Sequence, residues 1–346
     1  MTTLFFYDNA DHGLAPSGNT NDPVRRKRLI VESFAGSSIA TSIYVEPPLE
    51  LDFISRIHSK DYIDFLQNVY SSWTENGRID DFQYKDLNGI VPYCFASPTS
   101  GAITRKVPYI FQIGLFSLDT ITPIYDYTYS LALHSASLAL YAVQQVLSLP
   151  PASTGFAACV LPGHHARNSK YAGYCFFNNA VLAATKAVEA GYKVCILDVD
   201  VHCGDGIGEI VNGRDDILFV SIHCDPRFEY PFLYGHESFD NCRYYPLLPG
   251  VKGDEYVKVV EQVFEEAILP FNSDILILSF GSDTCQGDPD KTDFSGFKLL
   301  LPDYFTIGTT IRKLVKDLNV LVLQEGGYKM DMVGPAAVAL VDGLSG

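Results

Sequence analysis

The segment from residue 193 to residue 206, KVCILDVDVHCGDG, joins an apolar run to a cluster of ionisable groups. Asp198, Asp200 and His202 alternate with valines, so their side chains project to one side while the chain stays extended. A buried cluster of carboxylates and imidazole requires a cation or strong hydrogen bonds. We therefore expect a ligand or metal site where this strand ends, since open α/β sheets bind ligands at that edge.

Polar residues follow four apolar segments, each of which predicts a strand. If these strands are parallel, the polar groups share one rim of the sheet. Asp200, His202 and Asp283 could then bind one divalent ion and leave a position open for water and substrate. Mixed oxygen and nitrogen ligands suit zinc, and iron(II), cobalt or manganese are compatible. The four groups are His164 and His165 after 155–161, the acidic cluster after the central strand, Gly281-Ser282-Asp283 after 274–280, and Glu325 to Tyr328 after 320–324.

Residues beside this predicted metal site could carry out hydrolysis. The adjacent His164 and His165 fit the tasks of general base and general acid. Asp198 and Asp205 are the spare acids that could fix the tautomers of these histidines. Tyr328 follows two glycines and could donate a hydrogen bond to the oxyanion of a tetrahedral intermediate. These residue types together point to metal-assisted hydrolysis of an amide.

Strands and helices alternate along the chain, which indicates an α/β fold: a single-domain, doubly wound, mostly parallel sheet flanked by helices. We expect one domain over residues 1–346. Predicted strands besides the four above are 4–7, 39–45 and 217–222. Predicted helices are 25–34, 51–70, 127–149, 178–189, 254–269, 302–318 and 333–344.

Residues 71–123 show no periodic pattern and contain several prolines, glycines and aromatic residues. A connection of this length in a compact domain usually shapes a site or an interface. We expect this insertion to form the substrate rim or a dimer contact.

The chain carries 25 basic and 41 acidic residues, which gives a formal net charge of -16. This charge argues against binding of nucleic acid and weakly favours a cationic substrate. The basic residues at 25–28 would suit a nuclear signal, but a solvated helix start is the preferred interpretation.

The eight cysteines lack the short spacing of a thiolate zinc site, which favours reduced thiols. No segment predicts a membrane span or an export leader, so we expect a soluble, cytoplasmic protein that does not bind membranes. His12, His58, His134, His223 and His236 are expected to be surface or structural histidines.

Eight motifs in order span nearly the whole chain. They are HSKDYIDFL at 58–66, LPGHHA at 161–166, GYCFFNNA at 173–180, DVDVHCGDG at 198–206, SIHCDPRFEYPFLYG at 221–235, GSDTCQGDP at 281–289, LLLPDYFTIGTTI at 299–311 and EGGY at 325–328. With these motifs the sequence resembles the histone deacetylase superfamily, and within it most closely the acetylpolyamine amidohydrolases. The resemblance implies the arginase/deacetylase fold.

The resemblance implies one zinc ion per subunit, bound by Asp200, His202 and Asp283. It also implies a structural monovalent cation, usually potassium, bound by Asp198, backbone carbonyls and the hydroxyl of Ser221.

Catalytic roles follow from the same resemblance. Asp198 would stand behind His164 and Asp205 behind His165, and Tyr328 would polarise the substrate carbonyl. His165 is the preferred proton shuttle, with His164 as an electrostatic helper.

The resemblance further implies a narrow substrate tunnel with aromatic walls. Gly173, Tyr174 and Phe232 are candidates for this tunnel, and Phe228 and Tyr230 compete for the second wall.

Three further positions bear on this comparison. Arg25 is a candidate for the arginine near the product acetate, and Asp119 for the acid that meets a distal ammonium. The neighbouring run VPYIFQIG at 107–114 is apolar where the resemblance leads us to expect an acid. Cys203 replaces a histidine of many relatives, and we expect an inert, buried thiol there.

The predicted function is a zinc-dependent deacylase acting on an acetylpolyamine or a small N-acetylated amine. A lysine deacetylase for acetylated peptides is the first alternative. An arginase-type ureohydrolase with two manganese ions and a catalytically silent binding protein are further alternatives. A homodimer is expected, as in the similar polyamine enzymes.

Overall fold

The computed structural model describes residues 1–9, 22–75, 89–95, 107–291 and 294–346. Its strands are β1 Thr3–Tyr7, β2 Thr41–Tyr44, β3 Thr154–Ala157, β4 Val194–Asp198, β5 Ile217–Cys224, β6 Cys242–Leu247, β7 Ile275–Phe280 and β8 Asn319–Gln324. They form one eight-stranded sheet in the order β2-β1-β3-β8-β7-β4-β5-β6, and each pairing is parallel. The predicted α/β fold class is confirmed, and the sheet is entirely parallel within the described residues.

Helices cover both faces of this sheet. The helices are α1 Pro23–Ala35, α2 Leu51–Ile54, α3 Lys60–Glu75, α4 Ile113–Phe116, α5 Thr128–Leu147, α6 Asn179–Glu189, α7 Asp205–Val211, α8 Gly253–Val263, α9 Leu269–Phe271, α10 Leu301–Val315 and α11 Val333–Ser345. A 3₁₀ turn at Tyr109–Gln112 precedes α4, and a π turn at Phe264–Ile268 joins α8 to α9.

Strand β7 shows how the two faces are built. Ile275 and Ile277 pack into the core under α3, α5 and α6, whereas Leu276, Leu278 and Phe280 pack into the core under α1, α8, α10 and α11. The alternation follows from the two-residue period of a strand. A strand buried on both faces favours apolar residues at nearly every position, which explains the apolar run at 275–278 in the sequence.

The four strands predicted to end at the site are consecutive neighbours in the sheet, in the order β3-β8-β7-β4. Because all of them run in the same direction, their carboxyl ends meet at one edge. This arrangement positions the residues considered below.

Several predicted boundaries were wrong. The predicted helix 51–70 is two helices, α2 and α3, because the chain turns at 55–59 to bury His58. His58 Nδ1 lies 2.9 Å from the backbone oxygen of Arg167, and its Nε2 accepts a hydrogen bond from the backbone nitrogen of Asn178 at 2.9 Å. Strand β6 was not predicted.

The insertion at 71–123 falls partly outside the described residues, at 76–88 and 96–106. Of the rest, residues 71–75 extend α3, and 107–123 include the 3₁₀ turn and α4.

The basic segment at 25–28 does lie at a helix start, but it is not uniformly solvated. Arg26 and Lys27 are buried, and Lys27 Nζ lies 2.5 Å from Asp8 Oδ1. In the described part of the chain, no helix is both long and apolar enough to cross a membrane.

Candidate active site

Asp200, His202 and Asp283 come together after β4 and β7. One ligand atom from each lies within 4.8 Å of the others, and all three residues are buried. His202 Nδ1 lies 3.0 Å from Asp200 Oδ1 and 3.6 Å from Asp283 Oδ2. Backbone N–H groups donate to the remaining carboxylate oxygens: Gly326 to Asp200 Oδ2 at 2.9 Å and Val201 to Asp283 Oδ1 at 3.0 Å.

The electrostatics of this cluster fit a cation. Asp283 Oδ2 is buried without a hydrogen-bond partner in the described structure. Burial, followed by the charge of Asp200, raises the pKa of Asp283 to about 8. Two buried carboxylates this close resist simultaneous ionisation unless a positive charge joins them. The two carboxylates and one imidazole therefore fit a divalent metal ion such as zinc.

The tandem histidines lie beside this cluster, with their ring centroids 4.0 Å apart and their ring planes tilted by 45°. His164 Nδ1 lies 3.1 Å from Asp198 Oδ2, and His165 Nδ1 lies 2.6 Å from Asp205 Oδ1. These contacts pair each histidine with the acid assigned to it from the sequence. Arg167 Nη2 donates to the second oxygen of Asp205 at 2.7 Å.

The two imidazoles differ in proton affinity. Burial lowers the pKa of His164, but the carboxylates of Asp200 and Asp198 outweigh it and raise the pKa to about 10. Burial and the charge of His164 lower the pKa of His165 to about 4. The nearby carboxylates thus favour the protonated form of His164, whereas burial and the charge of His164 favour the neutral form of His165.

Glu325 is a buried carboxylate behind the tandem histidines. Its Oε2 accepts hydrogen bonds from the backbone nitrogens of Gly163 at 2.6 Å and His164 at 3.1 Å. Its Oε1 accepts from Ser279 Oγ at 3.0 Å. This buried carboxylate thus fixes the backbone that carries the histidines.

Tyr328 is buried and lines the same cavity as the metal cluster and the tandem histidines. Its backbone nitrogen donates to Asp288 Oδ2 at 2.8 Å, which anchors the turn that presents the ring. Burial and the charge of Asp290 raise the pKa of the phenol well above its ordinary value. The hydroxyl is therefore neutral and able to donate.

Arg26, rather than Arg25, is the arginine next to Tyr328. Its guanidinium lies 5.1 Å from the centroid of the Tyr328 ring, and Nη1 donates to the backbone oxygen of Glu325 at 2.7 Å. Arg25 is exposed. The predicted residue, Arg25, is thus one position away from the arginine that contacts Tyr328. Successive side chains on a helix point about 100° apart, so only one of the two can face the site.

The metal cluster, the histidines and Tyr328 open into a cavity of about 200 Å³. Tyr174, Tyr230 and Phe232 form its aromatic walls. Tyr230 lies next to the tandem histidines, with its ring centroid 4.9 Å from that of His165. Phe232 is 50% exposed, at the outer end. Phe228 is not among the residues that line the cavity, so Tyr230 is the inner second wall.

Gly173 and Tyr174 are held in an uncommon backbone conformation, with φ values of 53° and 64°. A Cβ atom at Gly173 would lie 2.2 Å from His165 Cδ2, which excludes any larger residue without displacement of the imidazole. Non-glycine residues with positive φ concentrate at functional sites. Gly173 therefore contributes by allowing close approach to His165.

Asp119 does not line the cavity, which differs from the expected contact with a distal ammonium. Its Oδ1 accepts from the backbone nitrogens of Ile121 at 3.0 Å and Thr122 at 2.9 Å. Its Oδ2 accepts from the backbone nitrogen of Gly173 at 2.8 Å and from Tyr230 Oη at 3.4 Å. These bonds commit the carboxylate to positioning both walls.

Two acids that the sequence reasoning missed, Glu229 and Asp290, do line the cavity. Glu229 directly precedes Tyr230, and Asp290 follows the GSDTCQGDP motif. Their position next to motif residues in the sequence was the feature that could have identified them as cavity residues.

Asp198 and Ser221 are directly opposite each other on β4 and β5, and both are buried. Burial raises the pKa of Asp198, against the opposing charge of His164. Ser221 Oγ lies 2.9 Å from His223 Nδ1. A monovalent cation at these two residues stays a prediction.

Cys203 is fully buried, and burial raises the pKa of its thiol well above its ordinary value. A thiol of this kind is unreactive. All eight cysteines are free.

The fold and the site define an all-parallel α/β protein, within the described residues, that buries acids and histidines at the carboxyl edge of its sheet. The family model described as the histone deacetylase domain matches residues 21–344. The chain belongs to this family.

Similar proteins agree with this assignment. Acetylpolyamine amidohydrolase 1 of Pseudomonas aeruginosa is 35% identical over 84% of this chain and 82% of its own length. Acetylpolyamine amidohydrolase of Mycoplana ramosa is 30% identical over 86% of this chain and 84% of its own length. The crystal structure of an acetylpolyamine aminohydrolase from Burkholderia pseudomallei superimposes with a TM-score of 0.83 at 26% identity, covering 99% of this chain and 98% of that one.

Proposed function

We propose that the chain is a metal-dependent amidohydrolase that removes the acetyl group from an N-acetylated amine, with acetylpolyamines as the preferred substrates. The observation that carries this proposal is the cluster of Asp200, His202 and Asp283 beside two histidine–aspartate pairs and a buried tyrosine. The names of several similar proteins support acetylpolyamine as the substrate.

Asp200, His202 and Asp283 would hold the metal ion, most favourably zinc. A divalent ion at these residues would polarise the amide carbonyl and lower the pKa of a coordinated water. The ion would compensate the negative charges of the carboxylates in this cluster. It would also give a partner to Asp283 Oδ2, which has no hydrogen bond in the described structure.

The protein side chains supply proton transfer. The Nδ1 of His165 is paired with Asp205, which leaves its Nε2 to accept a proton from the attacking water. The resulting imidazolium then donates this proton to the departing amine nitrogen. His164, paired with Asp198, keeps its proton and stabilises negative charge on the reacting atoms.

Tyr328 donates a hydrogen bond from its hydroxyl to the carbonyl oxygen as negative charge develops there. The aromatic walls exclude water and hold the alkyl chain of the substrate, while Arg26 packs against the Tyr328 ring.

Turnover of a substrate series tests the proposal. Acetate release by the zinc-loaded protein should be faster for N-acetylputrescine and N8-acetylspermidine than for acetyl-lysine peptides. A preference for the peptides would support the lysine deacetylase alternative instead. Urea release from arginine, with two metal ions per subunit, would support a ureohydrolase, and absence of any hydrolysis would support a silent binding protein.

A further inference from the structure

Arg167 directly follows the LPGHHA motif, and its guanidinium contacts the acid that is paired with His165. Arg167 Nη2 donates to Asp205 Oδ2 at 2.7 Å, whereas His165 Nδ1 lies 2.6 Å from the other oxygen, Oδ1. The buried carboxylate therefore has a partner on each oxygen. Two partners on opposite oxygens fix the rotation of the carboxylate and the direction in which Oδ1 points.

The guanidinium is itself held by two acids on one helix. Asp205 and Glu209 are four residues apart on α7, so their side chains lie on the same face of this helix. Arg167 Nη1 donates to Glu209 Oε2 at 2.7 Å while Nη2 serves Asp205. The planar fork of an arginine suits this double contact, which the single ammonium group of a lysine does not reproduce.

The backbone of Arg167 is anchored without help from its side chain. Its nitrogen donates to the backbone oxygen of Lys170 at 2.9 Å, and its oxygen lies 2.9 Å from the Nδ1 of buried His58. Loss of the guanidinium should therefore leave this segment of the chain in place. The side chain is consequently available for a task other than folding the loop.

Arg167 is also the permanent positive charge beside Asp205. Burial acts to raise the pKa of Asp205, but the hydrogen bond from His165 and the charge of Arg167 lower it below its ordinary value. Because His165 favours its neutral form, the lasting compensation of the buried carboxylate comes from the guanidinium. Lys170, the next basic residue along the chain, instead donates to the backbone oxygen of Leu115 at 2.8 Å.

We propose that Arg167 is a positioning residue for amide hydrolysis. By holding Asp205 Oδ2, it turns Oδ1 toward His165 Nδ1, which keeps a proton on Nδ1 and leaves Nε2 to accept the proton of the attacking water. This inference rests on the proposed function, because it names the group that orients the proposed proton acceptor. Without the guanidinium, Asp205 would rotate more freely and His165 would populate both neutral tautomers.

Steady-state kinetics of matched arginine variants test this role. Arg214 is a suitable control, because it forms a forked pair with Asp216 through Nε at 2.8 Å and Nη2 at 3.0 Å and lies outside the cavity lining. The two side chains are similarly exposed, 26% for Arg214 and 22% for Arg167. We would measure kcat and KM for N-acetylputrescine, bound metal and thermal unfolding in Arg167→Gln, Arg167→Lys and Arg214→Gln.

Arg167→Gln should lower kcat about 10- to 100-fold, with KM and bound metal close to those of the wild type. Arg167→Lys keeps the charge but not the fork, so it should lose less activity than Arg167→Gln. Arg214→Gln should retain the kcat of the wild type. An unchanged kcat in Arg167→Gln, an equal loss in Arg214→Gln, or a loss that accompanies release of metal or early unfolding would overturn the assignment.

The tautomer of His165 provides a readout that does not depend on turnover. NMR of the zinc-loaded protein with isotope-labelled histidine reports which ring nitrogen carries the proton, and His165→Ala identifies the signals. The wild type and Arg214→Gln should show His165 protonated at Nδ1, and Arg167→Gln should show a mixture of tautomers. The wild-type tautomer in Arg167→Gln would overturn the proposal. If the wild type showed the expected tautomer but hydrolysed no amide, the proposed function would fail while the NMR comparison still tested Arg167.

Discussion

Replacement of Tyr328 by phenylalanine isolates the role of one hydroxyl group. The turn that carries residue 328 is held by backbone bonds, from Tyr328 N to Asp288 Oδ2 at 2.8 Å and from Lys329 N to the same oxygen at 2.9 Å. A phenylalanine ring keeps these bonds and the contact with Arg26. The variant should therefore fold and bind metal as the wild type does.

The expected loss follows from the number of donors removed. Loss of a single donor to a developing oxyanion costs about 10²- to 10³-fold in kcat, or about 2.7–4 kcal/mol. The buried position of Tyr328 favours the upper part of this range, since a hydrogen bond in a water-excluded site is stronger. KM should change much less than kcat, because the hydrogen bond strengthens chiefly in the transition state.

Steady-state acetate release from N-acetylputrescine measures both constants, with metal content and thermal unfolding as controls for folding. A kcat within about threefold of the wild type, with metal retained, would remove the Tyr328 hydroxyl from the mechanism. A fall in kcat accompanied by loss of metal or by early unfolding would contradict the view that the backbone alone holds this turn.

Three further predictions follow from the geometry. His165→Ala should lower kcat by about 10²- to 10⁴-fold in the same assay, because its imidazole is the proposed proton acceptor, and an unaltered rate would assign that task elsewhere. Burial lowers the pKa of His58 from 6.5 to about 4, so the folded state holds this imidazole in its neutral form. The stability of the fold is therefore complete above pH 6.5 and decreases as the pH falls from 6.5 towards 4, because the unfolded chain takes up the proton more readily. Chemical denaturation should show His58 accounting for about 2 kcal/mol of lost stability between about pH 7 and about pH 5, and His58→Gln should flatten the dependence; an equally steep curve would refute this. Ile121, which lines the cavity, is 47% exposed, and Leu118 is 37% exposed, so we expect a homodimer that covers them. Sedimentation of a monomer at all concentrations would contradict this expectation.

The sequence predicted the sheet and much of the site because both depend on local patterns. A continuous apolar run identifies a strand buried on both faces, and alternate spacing places Asp198, Asp200 and His202 on one side of the chain. Parallel strands have their carboxyl ends at one edge of the sheet. The polar residues that follow them can therefore be placed at that edge even when the order of the strands is unknown. The pairing of His164 with Asp198 was also available from the family resemblance.

Other features depend on tertiary packing that no short pattern encodes. Whether Arg25 or Arg26 faces the site depends on how α1 rotates against its neighbours. The division between α2 and α3 depends on the distant partners of His58. The hydroxyl of Tyr230 donates a hydrogen bond to Asp119, which lies more than a hundred positions earlier in the chain.

Irregular loops hid the acids of the cavity. Asp290 lies in a segment without helix or strand, so periodicity gave no indication of the direction of its side chain. Asp119 was the more conspicuous acid in the sequence, yet its carboxylate is taken up by backbone donors. In loops, the hydrogen bonds that an acid already makes decide whether it can meet a ligand.

Acetate release from N8-acetylspermidine, measured together with bound metal per chain, tests the central claim most directly. The account predicts one divalent ion per chain, turnover that disappears with a chelator and returns with zinc, and loss of both metal and turnover in Asp283→Ala. Hydrolysis that persists in metal-free protein, or in Asp283→Ala without bound metal, would contradict it.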